Sequence, residues 1–79
     1  MQLKINWEHR RAKHAIERMT LRGVSVHEVE EAILKGKRVI QRRTGLAESF
    51  HRFFSVVYDE VHLRSRGVRK VYPVTVKLL

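Results

Sequence analysis

The stretch Lys13–Gly23, KHAIERMTLRG, continued by VSVHEVEEAILKG over Val24–Gly36, decides what kind of fold this chain can make. Ala12, Ala15, Ile16 and Met19 recur at i, i+3, i+4 and i+7, the spacing that gathers apolar side chains on one helical face. Gly23 follows where a left-handed cap belongs, so the spacing predicts a helix that stops at Leu21 or Arg22. Ser25 with Glu28 three residues on forms a capping box, in which each side chain satisfies a free N–H at a helix start. A second helix is therefore expected over residues 26–34, burying Val26, Val29, Ala32 and Ile33 and ended by Gly36.

Past Gly36 the pattern turns to β-branched and aromatic residues. Strands are expected in KRVIQRR (37–43), FHRFFSVVY (50–58), VHLRS (61–65) and VYPVTVKL (71–78), with turns at Gly45, Asp59 and Gly67. FHRFFSVVY is apolar on both faces, which suits a central strand. Pro73 cannot donate to a ladder, so it belongs at an edge, a bulge or an unpaired position. The opening QLKIN alternates Leu3 and Ile5 and reads as one more short strand. The expectation is a single α+β domain over residues 1–79: an N-terminal helical hairpin packed on a twisted antiparallel sheet of three to five strands.

A chain of 79 residues has no room for a second core. It has no cysteine, which removes disulfides, thiolate catalysis and cysteine-ligated zinc. No stretch has the apolar length of a membrane span and MQLKINWEHRR lacks a signal-like apolar core, so a soluble, cytoplasmic protein is expected. Seventeen Lys and Arg stand against eight Asp and Glu, a net charge of +9, with a pI near 10.9. Such a field attracts polyanions. It is also lopsided: five of the acids precede Lys35, and only Glu48, Asp59 and Glu60 follow it. A polyanion such as nucleic acid is the partner this balance points to.

At about 100° per residue, Arg11, His14, Arg18 and Arg22 form a stripe beside the apolar one, at the boundary of the core. An ordinary boundary arginine lays its methylenes over apolar surface and keeps its head in water. The functional reading makes the stripe one half of a phosphate site.

The stretch HAIERMTLRGVSVHEVEEAILKGK, His14–Lys37, resembles the signature of a family known as domain-of-unknown-function family 4258. His14, Ala15, Arg18, Met19, Arg22, Gly23, Val24, Ser25, Val29 and Gly36 fall on its pattern, and Thr75 in VYPVTV falls on its closing strand. That resemblance implies a RelE-like fold, within the barnase–colicin–RelE set of metal-independent ribonucleases: two N-terminal helices followed by an antiparallel sheet. It also implies a toxin-type endoribonuclease that pairs with a small antitoxin protein. The catalytic strand residues differ among members of that set and are not carried over to positions here.

Metal-free RNA cleavage requires a base for the ribose 2′-hydroxyl, an acid for the leaving 5′-oxygen, and cations for the charge that gathers on the phosphoryl oxygens. Imidazole serves either proton role near neutral pH, and guanidinium binds phosphate bidentately. The candidates are His14 as base or orienting group and Arg18 and Arg22 as phosphate holders, completed by a strand residue among His51, Tyr58, His62 and Arg64. Arg11, Arg42, Arg43, Arg52, His62 and Arg66 are candidates for nucleic-acid binding. Singly, His51 and His62 also read as solvent-facing strand residues, and Thr75 as a β-former. The five histidines form no His-x-x-x-His pair, so no metal or cofactor is expected. The rival functions are a non-catalytic basic module that grips RNA or DNA, and an interaction domain whose sheet edge a partner completes.

Overall fold

The computed structural model describes residues 2–79. Among them are β1 (Gln2–Ile5), α1 (Ala12–Arg22), α2 (Val26–Lys35), β2 (Lys37–Ile40), β3 (Ala47–His51), β4 (Phe54–Leu63), a short 3-10 turn (Arg64–Arg66) and β5 (Val68–Leu78). The five strands form one sheet in the order β1-β5-β4-β3-β2. The α+β expectation stands.

Both helices start and stop where local chemistry dictates. Gly23 caps α1 at φ +69°, its N–H reaching back to the Met19 and Thr20 carbonyls. Ser25 and Glu28 form the reciprocal box at the start of α2. Gly36 ends α2 for a different reason, since its backbone is extended at φ −74°. A Cβ there would lie 2.5 Å from the Ala32 carbonyl oxygen and 2.6 Å from that of Phe50. Glycine is what lets the chain pass between α2 and β3.

The buried stripes are narrower than the spacing suggested. Ala12, Ala15 and Met19 are buried on α1, and Val29, Ala32 and Ile33 on α2. Ile16 and Val26 are 43% and 47% exposed. The two alanines bring α1 close to β5, its main contact, which leaves Ile16 on the outer shoulder. Val26 sits in the first turn of α2, facing a groove beside β1. Principal contacts of α2 are with β3 and β4. Phe54, Val56 and Tyr58 of β4 and Val71 and Val76 of β5 pack with Met19, Val24, Val29, Ala32, Ile33 and Ala47 in one cluster.

Three strand expectations are corrected. FHRFFSVVY is not one strand: the chain reverses at Arg52–Phe53, where His51 pairs with Phe54 and Arg52 takes φ +52°. No glycine, proline or asparagine marks that turn. Nor does Asp59 make a turn; it lies inside a ten-residue β4 that runs on to Leu63, and Arg64 and Ser65 leave the strand for the 3-10 turn. Gly45 and Gly67 do sit in turns, with φ +73° and +62°. β2 is shorter than expected, ending at Ile40.

The sheet is mixed, not wholly antiparallel. β1 pairs parallel to β5, with Lys4 opposite Lys70 and Ile5 opposite Val71, while the other neighbours are antiparallel. Two helices and three strands separate β1 from β5, ample length for the crossover that parallel pairing requires. Pro73 is accommodated by the irregularity between Val57 and Tyr58, where pairing steps from Thr75 to Pro73 and leaves Val74 as the extra residue. Pro73 also lies past Val71, the last β5 residue that β1 covers, so no β1 carbonyl needs its missing donor.

Candidate functional site

Strand register, not helix spacing, produces a tight cluster of titratable groups around Glu60. Side chains alternate across a sheet, so Glu60 and His62 share one side of β4. Arg69 of β5 stands directly opposite His62. Arg38 of β2 pairs with Ser49, which pairs with Val56, so it belongs to the same side. All four side chains meet at the Glu60 carboxylate. Oε2 accepts from Arg38 Nη2 at 2.8 Å and lies 2.9 Å from His62 Nε2. Oε1 accepts from Arg69 Nε at 2.9 Å and also from Arg69 Nη2.

Burial grades these groups. The Glu60 side chain is only 4% exposed and that of Arg69 19%, whereas His62 and Arg38 are 42% and 45% exposed. Burial alone would raise the Glu60 carboxyl. That effect is outweighed by hydrogen bonds from His62 and Arg69 and by the Arg69 and Arg38 charges, which hold it below the ordinary carboxylate value. An ionised, nearly dry carboxylate thus orients one imidazole and two guanidinium groups, of which His62 and Arg38 reach water.

Two other carboxylates gather cations elsewhere. On the opposite side of the sheet, Glu48 accepts from Gln41 at 3.1 Å and Ser55 at 2.7 Å, with Lys77 at 3.0 Å. Burial, which raises it, is outweighed by these donors, and the carboxyl lies below its usual value. This set contains no imidazole. Glu31 of α2 contacts His51 at 3.3 Å, His27 at 3.2 Å and Arg52 at 3.7 Å, tying the helix to the β3–β4 turn. The hydrogen bond from His51 is the main reason its carboxyl is lowered; burial opposes it, and the Arg52, His27 and Lys35 charges add to it.

The residues expected from sequence divide accordingly. His62 lies in the Glu60 cluster, and Arg64 and Arg66 are exposed in the 3-10 turn that follows. His51 and Arg52 are with Glu31 at the other end of β4; the eight steps along the strand from Phe54 to His62 span about 26 Å at strand rise. His51 and His62 therefore do not share one phosphate. Tyr58 is fully buried, its hydroxyl 2.7 Å from Ser49 Oγ, so a catalytic role for it is set aside. Arg42 and Arg43 are exposed between β2 and β3.

On α1, His14 and Arg22 are exposed and Arg18 is half-buried, and none of the three has an ion-pair partner among the described residues. Their helical rise separates His14 from Arg22 by about 12 Å. They make a row, not a point. Arg11, at the head of that row, lies 3.8 Å from Asp59 of β4.

Sequence reasoning passed over Glu60, Arg38 and Arg69. Glu60 and His62, two apart on one strand, would have signalled a shared face had β4 been read as continuous.

A family described as a domain of unknown function (DUF4258) matches residues 12–71. The chain belongs to that family. The match spans both helices and includes Arg38, Glu60, His62 and Arg69. No curated protein and no solved structure gives a match. Among the described residues, no helix of this DUF4258 domain is long and apolar enough to cross a membrane.

Proposed function

We propose that this DUF4258 domain cleaves RNA without a metal ion, in the manner of the RelE-like toxins it resembles, and that His62 is its proton-transfer group. The observation that carries this reading is the nearly buried Glu60 carboxylate, which holds one imidazole and two guanidiniums, with His62 and Arg38 open to solvent.

With Nε2–H donated to Glu60, the other ring nitrogen of His62 is the acceptor tautomer. That Nδ1 takes the proton of a ribose 2′-hydroxyl. The 2′-oxygen attacks the adjacent phosphorus, the bond to the 5′-oxygen breaks, and the leaving oxygen takes a proton from water. The products are a 2′,3′-cyclic phosphate and a 5′-hydroxyl. Arg38 spends one nitrogen on Glu60 and has further N–H groups for the phosphoryl oxygens. Arg69 and Glu60 are positioning residues. Arg64 and Arg66, and the row on α1, hold flanking phosphates. A toxin-type role opposed by an antitoxin protein belongs to the same proposal.

A second reading has its own support. Both Glu60 oxygens are occupied, so the cluster also suits a rigid phosphate grip that binds RNA and does no chemistry.

Cleavage of RNA in EDTA separates the two. His62→Ala and Arg38→Ala alter exposed side chains and should leave the fold intact while lowering cleavage about 100-fold or more. His14→Ala should retain it. Intact RNA with tight, salt-sensitive binding would favour the second reading. Loss of cleavage in His51→Ala but not in His62→Ala would move the centre to Glu31 and sink the assignment made here.

A further inference from the structure

β1 is an edge strand whose second side is unpaired in the sheet order. The N–H groups of Gln2 and Asn6 point to β5, bonding the Gly67 and Val71 carbonyls. By alternation, the N–H and C=O groups of Leu3 and Ile5 point away from β5, along the open edge. Beside that edge runs a groove lined by Leu3, Ile5, Trp7, Val26, Leu34 and Glu30. Its walls are apolar and its one charge is a carboxylate at the rim. On the other side of the same edge stands Lys4, directly opposite Lys70, both exposed and without an acidic partner among the described residues. Like charges facing across strands are unfavourable.

We propose that this edge receives an extended segment of another protein, apolar at alternate positions and acidic at those between. A strand laid along β1 would take the free main-chain groups of Leu3 and Ile5. Its apolar side chains would fill the groove, where Glu30 disfavours an acid. The intervening side chains would fall on the Lys4–Lys70 side, where an acid relieves the like-charge pair. A second copy of this chain does not fit that description: it brings another lysine and another +9 to the same edge. The inference stands whether or not the Glu60 cluster cleaves RNA.

The test uses the full chain labelled with nitrogen-15 and the capped peptide IDVEVDI, with its isomer IVVIDED as control. The alternating peptide should shift the amides of Leu3 and Ile5 and the Trp7 indole, and the isomer should not. Val26→Asp, an exposed change at the first turn of α2, should weaken binding about tenfold by placing a charge in the groove. Lys4→Glu should weaken it about threefold. Equal binding of both peptides would overturn the proposal, as would shifts centred on Arg42 and Arg43. So would shifts at β1 that depend on protein concentration alone, or that appear with an RNA oligonucleotide and not with the peptide.

Discussion

The basic residues on α1 and those around Glu60 carry the same charge and resemble each other in a list, yet the fold treats them differently. A helix strings His14, Arg18 and Arg22 along its axis, each beside the core and each facing solvent without an acid. The sheet brings Arg38, His62 and Arg69 from three strands onto one nearly buried carboxylate. Positions 38 and 60 are far apart in the chain, so only strand register makes them neighbours. Convergence on a point favours chemistry, whereas a row favours contact with a long polyanion. Under the proposed function, the contrast gives the two regions separate tasks.

The largest expected effect on stability tests whether the cluster is a unit. Glu60→Gln removes the charge that three donors share, leaving Arg69 and Arg38 without their partner. The loss should be about 2–3 kcal/mol in a urea unfolding series. Alanine at His14, Arg18 or Arg22, exposed or on the rim, should each change stability by no more than about 0.5 kcal/mol. Comparable losses in the two regions would erase the contrast.

Acid should expose the same asymmetry. The Glu60, Glu48 and Glu31 carboxyls all lie below their ordinary value in the folded chain. The unfolded chain therefore binds protons more readily, so stability is fully present above the unfolded carboxylate pKa near ~4.3 and is lost as pH falls through the lowered values. Unfolding free energy should be flat from neutral pH down to about pH 5 and decline below it. Glu60→Gln should make that decline shallower. An unchanged slope would mean that Glu60 contributes nothing to it.

How much of this was legible in the sequence follows from the distance over which each signal acts. Helix limits depend on neighbours within four residues, and Gly23, Ser25 and Glu28 marked them correctly. The β1 strand and the irregularity at Pro73 were visible for the same reason. The reversal at Arg52 was not, because an arginine at φ +52° stands where glycine or asparagine is the usual marker. With that turn missed, β4 was cut at Asp59, and Glu60 and His62 no longer shared a continuous strand. The Glu60 site was hidden one step further off. Even a correct β4 shows only the acid and the imidazole; Arg38 and Arg69 arrive through pairing partners.

The smallest expected effect concerns the α1 row, and salt can measure it. Neighbouring members, four residues apart, are separated by about 6 Å along the helix, so on the proposed reading each guanidinium would meet a different phosphate of a bound strand. Each such contact releases counterions, and its loss should flatten the dependence of log affinity on log salt by about 0.7 on single-stranded RNA. Arg18→Gln and Arg22→Gln should each do this while leaving the cleavage rate at saturating RNA unchanged, since the proposed site places the reacting phosphate at His62 and Arg38. Arg38→Gln should lower that rate as well. A row variant that alters the rate but not the salt slope would mean that α1 faces the reacting phosphate after all, and that the division of labour between helix and sheet is wrong.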